Sequence, residues 1–218
     1  MDPSPEREPL RYIAIEGAIG AGKTALAHLI ASRLGARMVL EEHEQNPFLE
    51  RFYQDRKRWS FQTQLSFLAA RFRQQSFVLE RDLFHDVVVS DYFFERDWIF
   101  AHLNLEKDEL RLYESLFQLM EGSVPVPDLV IYLQCPVERL QEYISKRGRA
   151  FEGESDSDYL RALAETYDYF FFRYTRSPVL IVNVSRFDFA ANSTSLDELL
   201  RVVKTTKYPG VTYFRGQP

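Results

Sequence analysis

A single cysteine, Cys135, in 218 residues excludes an internal disulfide as a source of stability. No run of about 18 apolar residues is present, so a membrane-spanning helix is not expected. Positive charge is in short supply: 27 Lys and Arg stand against 32 Asp and Glu, a formal net charge of −5. Binding to a nucleic-acid polymer normally relies on a basic surface, and a pI near 5.5 argues against such a partner. A small-molecule substrate is favoured instead. Repeats and low-complexity tracts are missing. Residues 1–10 carry three prolines and mixed charge, which fits neither a secretory nor an Arg-rich transit signal, and they are read as a flexible N-terminal tail of a cytoplasmic protein.

What the chain does contain is 45% hydrophobic residues, enough for one α/β domain with a sizeable core, placed at 11–205 with a C-terminal tail at 206–218. The stretch Gly17-Ala18-Ile19-Gly20-Ala21-Gly22-Lys23-Thr24 follows the apolar run Tyr12-Ile13-Ala14-Ile15. It is a complete phosphate-binding loop, G-x-x-x-x-G-K-[ST]. Glycines let successive backbone N–H groups turn inward around a polyphosphate; Lys23 then reaches the β and γ phosphates and the Thr24 hydroxyl holds magnesium. A helix starting near Gly22 adds the positive end of its dipole to the same anion. A chance match arises in roughly one chain of this size in a hundred, and the strand before and helix after the loop argue against one here.

Further strands are expected at 38–40, 87–90, 128–133 and 178–184, with helices between them, giving a five-stranded doubly wound parallel sheet with helices on both faces. In such sheets ligands sit beyond the C-terminal strand ends, which singles out Glu41 and Asp91. Glu41-Glu42-His43-Glu44 also reads as a solvated acidic turn. Asp91 suits a place near magnesium or near the acceptor. A long helix over 60–80 carries Leu65, Leu68, Phe72 and Leu79 on one face. Gln62 lies at its start, as a ligand-facing amide or an exposed helical residue. Tyr53 fits core or site. Asp97 is either a capped surface charge or a ligand contact. Lys146-Arg147-Gly148-Arg149 reads as a phosphate-facing flap or as a basic helix end favoured by the dipole.

Taken together, several of these pieces resemble the deoxynucleoside kinases of the deoxyadenosine, deoxyguanosine and deoxycytidine kinase type. The residues concerned are the phosphate loop, Glu41, Asn46-Pro47-Phe48-Leu49, Phe52-Tyr53-x-Asp55, Trp59-Ser60-Phe61-Gln62, Ser90-Asp91, Asp97 with Ile99-Phe100-Ala101, and Arg147-Gly148-Arg149 with Glu152. The resemblance spans about 11–184. It implies a P-loop kinase fold with an arginine-bearing lid, transfer of the γ-phosphate of ATP to the 5′-hydroxyl of a deoxynucleoside, a magnesium requirement and a homodimer. It implies Glu41 as general base, with Glu42 as competitor, and Gln62 pairing with the nucleobase while Asp97 approaches from the other side. Tyr53 and Glu152 would hold the sugar 3′-hydroxyl, and Arg147 and Arg149 would embrace the phosphates.

Two positions depart from the pattern. Tyr92 and Tyr143 stand where many members have arginine, and tyrosine supplies no fixed positive charge. Loss of one such contact costs about 3 kcal/mol of transition-state stabilisation unless another cation, such as Arg96 or Lys146, compensates. The alternatives are therefore a nucleotide-binding regulatory or degenerate kinase, and a nucleoside monophosphate kinase, which would need extra cationic groups for the acceptor phosphate.

Overall fold

The computed structural model describes residues 10–42, 45–80, 84–147, 157–187, 189, 192–206 and 210–215. Its sheet is built from β1 (Tyr12–Gly17), β2 (Arg37–Val39), β3 (Val88–Ser90), β4 (Leu129–Gln134), β5 (Pro178–Asn183) and β6 (Gly210–Tyr213) in the order β2-β3-β1-β4-β5-β6. All pairings are parallel. The sheet has six strands where five were expected, and the sixth comes from the stretch read as a C-terminal tail. Four exposed residues at a sheet edge offer no inside–outside alternation, so the strand left no pattern to find.

Strand β1 is buried along its whole length, as befits an apolar strand covered on both faces. The carboxylate of Asp128 accepts from the N–H groups of Arg11 and Tyr12, at 2.7 and 2.8 Å, which ties the start of β1 to that of β4. Helix α1 (Lys23–Leu34) packs on β1 and β3, and α7 (Ser157–Arg173) on β4. Its Tyr167 and Phe171 join Phe93 and Tyr132 in the main core.

Helices α2 (Leu49–Gln54), α3 (Arg56–Gln75), α4 (Arg96–Asn104) and α5 (Lys107–Glu121) form a separate layer. Leu68, Phe94, Tyr113 and Phe117 make its core. Helix α3 begins four residues before the expected start because the Asp55 side chain accepts from Arg58 N–H at 3.1 Å, an N-cap that satisfies an otherwise orphaned donor. It ends at Gln75, so Leu79 lies beyond it and packs against the main core instead. Helices α6 (Val137–Arg147) and α8 (Ser193–Thr205) complete the described elements. None of the described helices is long and apolar enough to cross a membrane.

Candidate active site

The loop between β1 and α1 is shaped by two glycines in particular. A Cβ on Gly17 would lie 2.8 Å from the Leu133 carbonyl oxygen on the neighbouring strand, so only a hydrogen fits. Gly22 caps α1 in the left-handed region, at φ 88°, with no side-chain cap on the first turn. The leading N–H groups of α1 are thereby left to an anion. Lys23 folds back over the loop, donating from Nζ to the Gly17 and Ala18 carbonyls at 2.8 and 3.0 Å. Burial, assisted by the nearby Arg96 charge, lowers the Lys23 pKa to about 8. Thr24 Oγ1 donates to Asp91 Oδ2 at 2.5 Å, and the other Asp91 oxygen accepts from Glu41 N–H at 2.9 Å. Asp91 thus fastens the end of the second strand to the phosphate loop.

Glu41 faces inward while Glu42 is exposed, which separates the two competitors. The Glu41 Oε1 atom accepts from Arg71 Nε at 3.0 Å and from a second Arg71 nitrogen, and Arg96 Nη1 lies 2.8 Å from Oε2. Burial alone would raise the Glu41 pKa, but the Arg71 and Arg96 guanidinium groups overcome it and hold the carboxyl well below the usual carboxylate range. Arg71 also pairs with Asp97, whose side chain is fully buried. Burial pushes the Asp97 carboxyl up to about 7, against the pull of Arg71.

A cleft of about 680 Å³ runs across the C-terminal ends of the central strands, a size suited to small organic ligands. The phosphate loop forms its middle. Glu41, Tyr53, Gln64, Arg71 and Arg96 line one half, and Leu133, Val184, Phe187 and Phe189 belong to the other. The strand order explains this division, since β2 and β3 lie to one side of β1 and β4 and β5 to the other.

Of the site residues expected from sequence, the structure brings together Lys23, Thr24, Glu41, Tyr53 and Asp91. It does not bring Gln62, which is exposed; Gln64 lines the cleft in its place, 2% exposed, with its Oε1 lacking a hydrogen-bond partner. Two residues along a helix turn the side chain by about 200°, so the two amides point to opposite faces. The signal was available: Gln64, Leu68 and Arg71 fall at i, i+4 and i+7 on the buried stripe of α3, two polar groups where apolar ones would be expected. Asp97 stands behind Arg71, paired with its guanidinium, and does not line the cleft, where a direct approach to a base was expected. Arg71 was missed altogether. The side chain of Arg147, and Arg149 and Glu152 entirely, lie outside the described residues.

Tyr92 is fully buried and donates its hydroxyl to Gln74, away from the cleft. A positive charge absent at position 92 is found four residues further on, where Arg96 opens α4 and lies against Glu41. Tyr143 lines the cleft and is half-exposed.

A phosphate loop at the centre of a parallel sheet, with a carboxylate beyond a neighbouring strand in the same cleft, defines a P-loop kinase acting on a small acceptor. More narrowly, the chain belongs to the deoxynucleoside kinase family, whose family model matches residues 13–207. It is 33% identical over 198 residues to deoxyguanosine kinase of Bacillus subtilis, covering 88% of this chain and 96% of that protein. It is 32% identical to the deoxyadenosine/deoxycytidine kinase of the same organism over 195 residues, 86% of this chain and 89% of that one. Among solved structures, deoxyadenosine kinase from M. mycoides with the products dCMP and dCDP bound superposes with a TM-score of 0.76 at 26% identity, covering 88% of this chain and 100% of that one.

Proposed function

We propose that the protein transfers the γ-phosphate of ATP to the 5′-hydroxyl of a deoxynucleoside, with Glu41 as general base. One observation carries this reading: Glu41, the loop lysine and an arginine pair converge in one cleft whose two halves flank the phosphate loop. A sugar hydroxyl is a poor nucleophile near neutral pH, and an oriented carboxylate accepting its proton is the simplest remedy. The depressed Glu41 pKa makes it a weak base as it stands, so the incoming hydroxyl must displace a guanidinium contact before Glu41 can act. Arg96 then remains beside the reacting centre as the fixed cation; its Nε is buried with no hydrogen-bond partner, so donor capacity is unused.

Lys23 and the loop N–H groups hold the donor phosphates. Thr24 and Asp91 would supply hard oxygens for magnesium alongside phosphate and water, and their mutual 2.5 Å hydrogen bond supports this pairing. Magnesium, when bound, neutralises charge on the transferring group. On the acceptor side Gln64 presents one donor and one acceptor to a nucleobase, and Tyr53 suits the sugar. The cations of this half, Arg71 and Arg96, are already paired with Glu41 and Asp97. That arrangement suits a neutral nucleoside better than a monophosphate. Arg147 and Arg149 are assigned to the phosphates and Glu152 to the sugar by the family resemblance. A cytoplasmic location and a homodimer are part of the same reading, the homodimer supported by the exposed Tyr169 and Phe172 rings on α7.

The test is turnover with magnesium-ATP against four deoxynucleosides and their monophosphates. Phosphorylation of nucleosides that disappears in Glu41→Gln supports the proposal, and nucleotide binding without turnover refutes it.

A further inference from the structure

Glu16 is the penultimate residue of the buried strand β1 and has no solvent exposure, yet it carries a carboxyl group that the reaction described above leaves unused. An apolar side chain of similar volume would commonly serve a core at least as well as a buried charge. The Glu16 donors come from three separate segments. Gly17 N–H and the Tyr167 hydroxyl donate to Oε2 at 3.0 and 3.1 Å, and Phe93 N–H donates to Oε1 at 3.2 Å. Gly17 opens the phosphate loop, Phe93 lies between Asp91 and Arg96, and Tyr167 belongs to α7. Burial raises the Glu16 pKa, while the charges of Arg96 and Lys23 draw it back down.

We propose that Glu16 is a positioning residue, one carboxylate that sets the spacing between the donor-phosphate loop and the backbone bearing Asp91 and Arg96, with α7 as its third anchor. The inference rests on the kinase reading. In-line transfer between two bound substrates depends on that spacing, and a misplacement of about 1 Å costs on the order of 100-fold in rate. Loss of a residue acting only in this way lowers kcat and leaves each substrate to bind its own half of the cleft as before.

The experiment compares the unsubstituted enzyme with Glu16→Gln, Glu16→Ala and Tyr167→Phe, measuring kcat, both KM values, thermal melting and the number of ATP sites by titration. The amide in Glu16→Gln keeps one accepting oxygen and loses the other, so one corner of the clamp opens. Expected is a fall in kcat of about 10- to 100-fold per titrated ATP site, with both KM values within about threefold. Tyr167→Phe is expected to show a smaller fall with the same pattern, and to add nothing when combined with Glu16→Ala. Unchanged kcat in Glu16→Gln, or a loss fully accounted for by missing ATP sites, overturns the positioning role alone. If Glu16→Gln does not fold, Tyr167→Phe decides by the same two criteria. Absence of turnover in the unsubstituted enzyme overturns the kinase reading and the positioning role with it.

Discussion

At the scale of single residues, Glu41 governs what can be tested first. Glu41→Gln is expected to lower kcat by about 10²–10⁴-fold while ATP binding persists, measured by turnover and by titration. The same substitution leaves Arg71 and Arg96 buried without their carboxylate, a loss of about 3–5 kcal/mol near neutral pH. Because the folded-state Glu41 pKa lies below its ordinary 4.5, the pairing stabilises the fold fully above that value and is lost as pH falls through the folded pKa. The melting-temperature gap between wild type and Glu41→Gln should therefore narrow on acidification. Gln64→Ala should raise the KM for the deoxynucleoside about 10- to 100-fold, whereas Gln62→Ala should stay within about twofold. Arg96→Met should lower kcat by about 10²–10³-fold, and Tyr92→Phe, whose hydroxyl meets Gln74 away from the cleft, should change it by less than about threefold. The sequence showed Lys23, Thr24, Glu41 and Asp91 because each sits at a strand end or a fixed motif spacing. Gln64 and Arg71 lie inside the expected helix, whose start was misplaced by four residues, but as polar groups on its buried stripe they add nothing to an apolar pattern.

At the scale of elements, that misplacement has a physical origin in Asp55. Its side chain caps α3, and the apolar periodicity begins only after a run of charged residues that belongs to the first turn. Asp55→Ala should cost about 1 kcal/mol and lower the melting temperature by about 2–4 °C, read by calorimetry or circular dichroism. The strands β1, β4 and β5 were legible as continuous apolar runs because helices cover both faces of the sheet there. At the edge the logic fails: β6 is exposed at every position, and its pairing with β5 is a backbone matter that side-chain pattern does not report. Phe214, just beyond it, packs against Phe187 and Phe189, so the C-terminal stretch is joined to a wall of the cleft.

At the scale of the whole molecule, the sheet order puts the phosphate loop between two half-sites, and each should respond to its own ligand. Magnesium-ATP at about 100 times its dissociation constant stabilises a one-site protein by about 2.7 kcal/mol, or about 5–10 °C in melting temperature at this size. Lys23→Met should abolish that shift, and Glu41→Gln should retain it. The pairing of Glu41 with two arginines bears on the enzyme between encounters. While no nucleoside is present, the Glu41 carboxylate proposed as general base has an arginine against each of its oxygens and little affinity for a proton from water. The idle protein should therefore leak almost no ATP to futile hydrolysis, and inorganic phosphate release without acceptor should run at least about 10³-fold below the coupled rate.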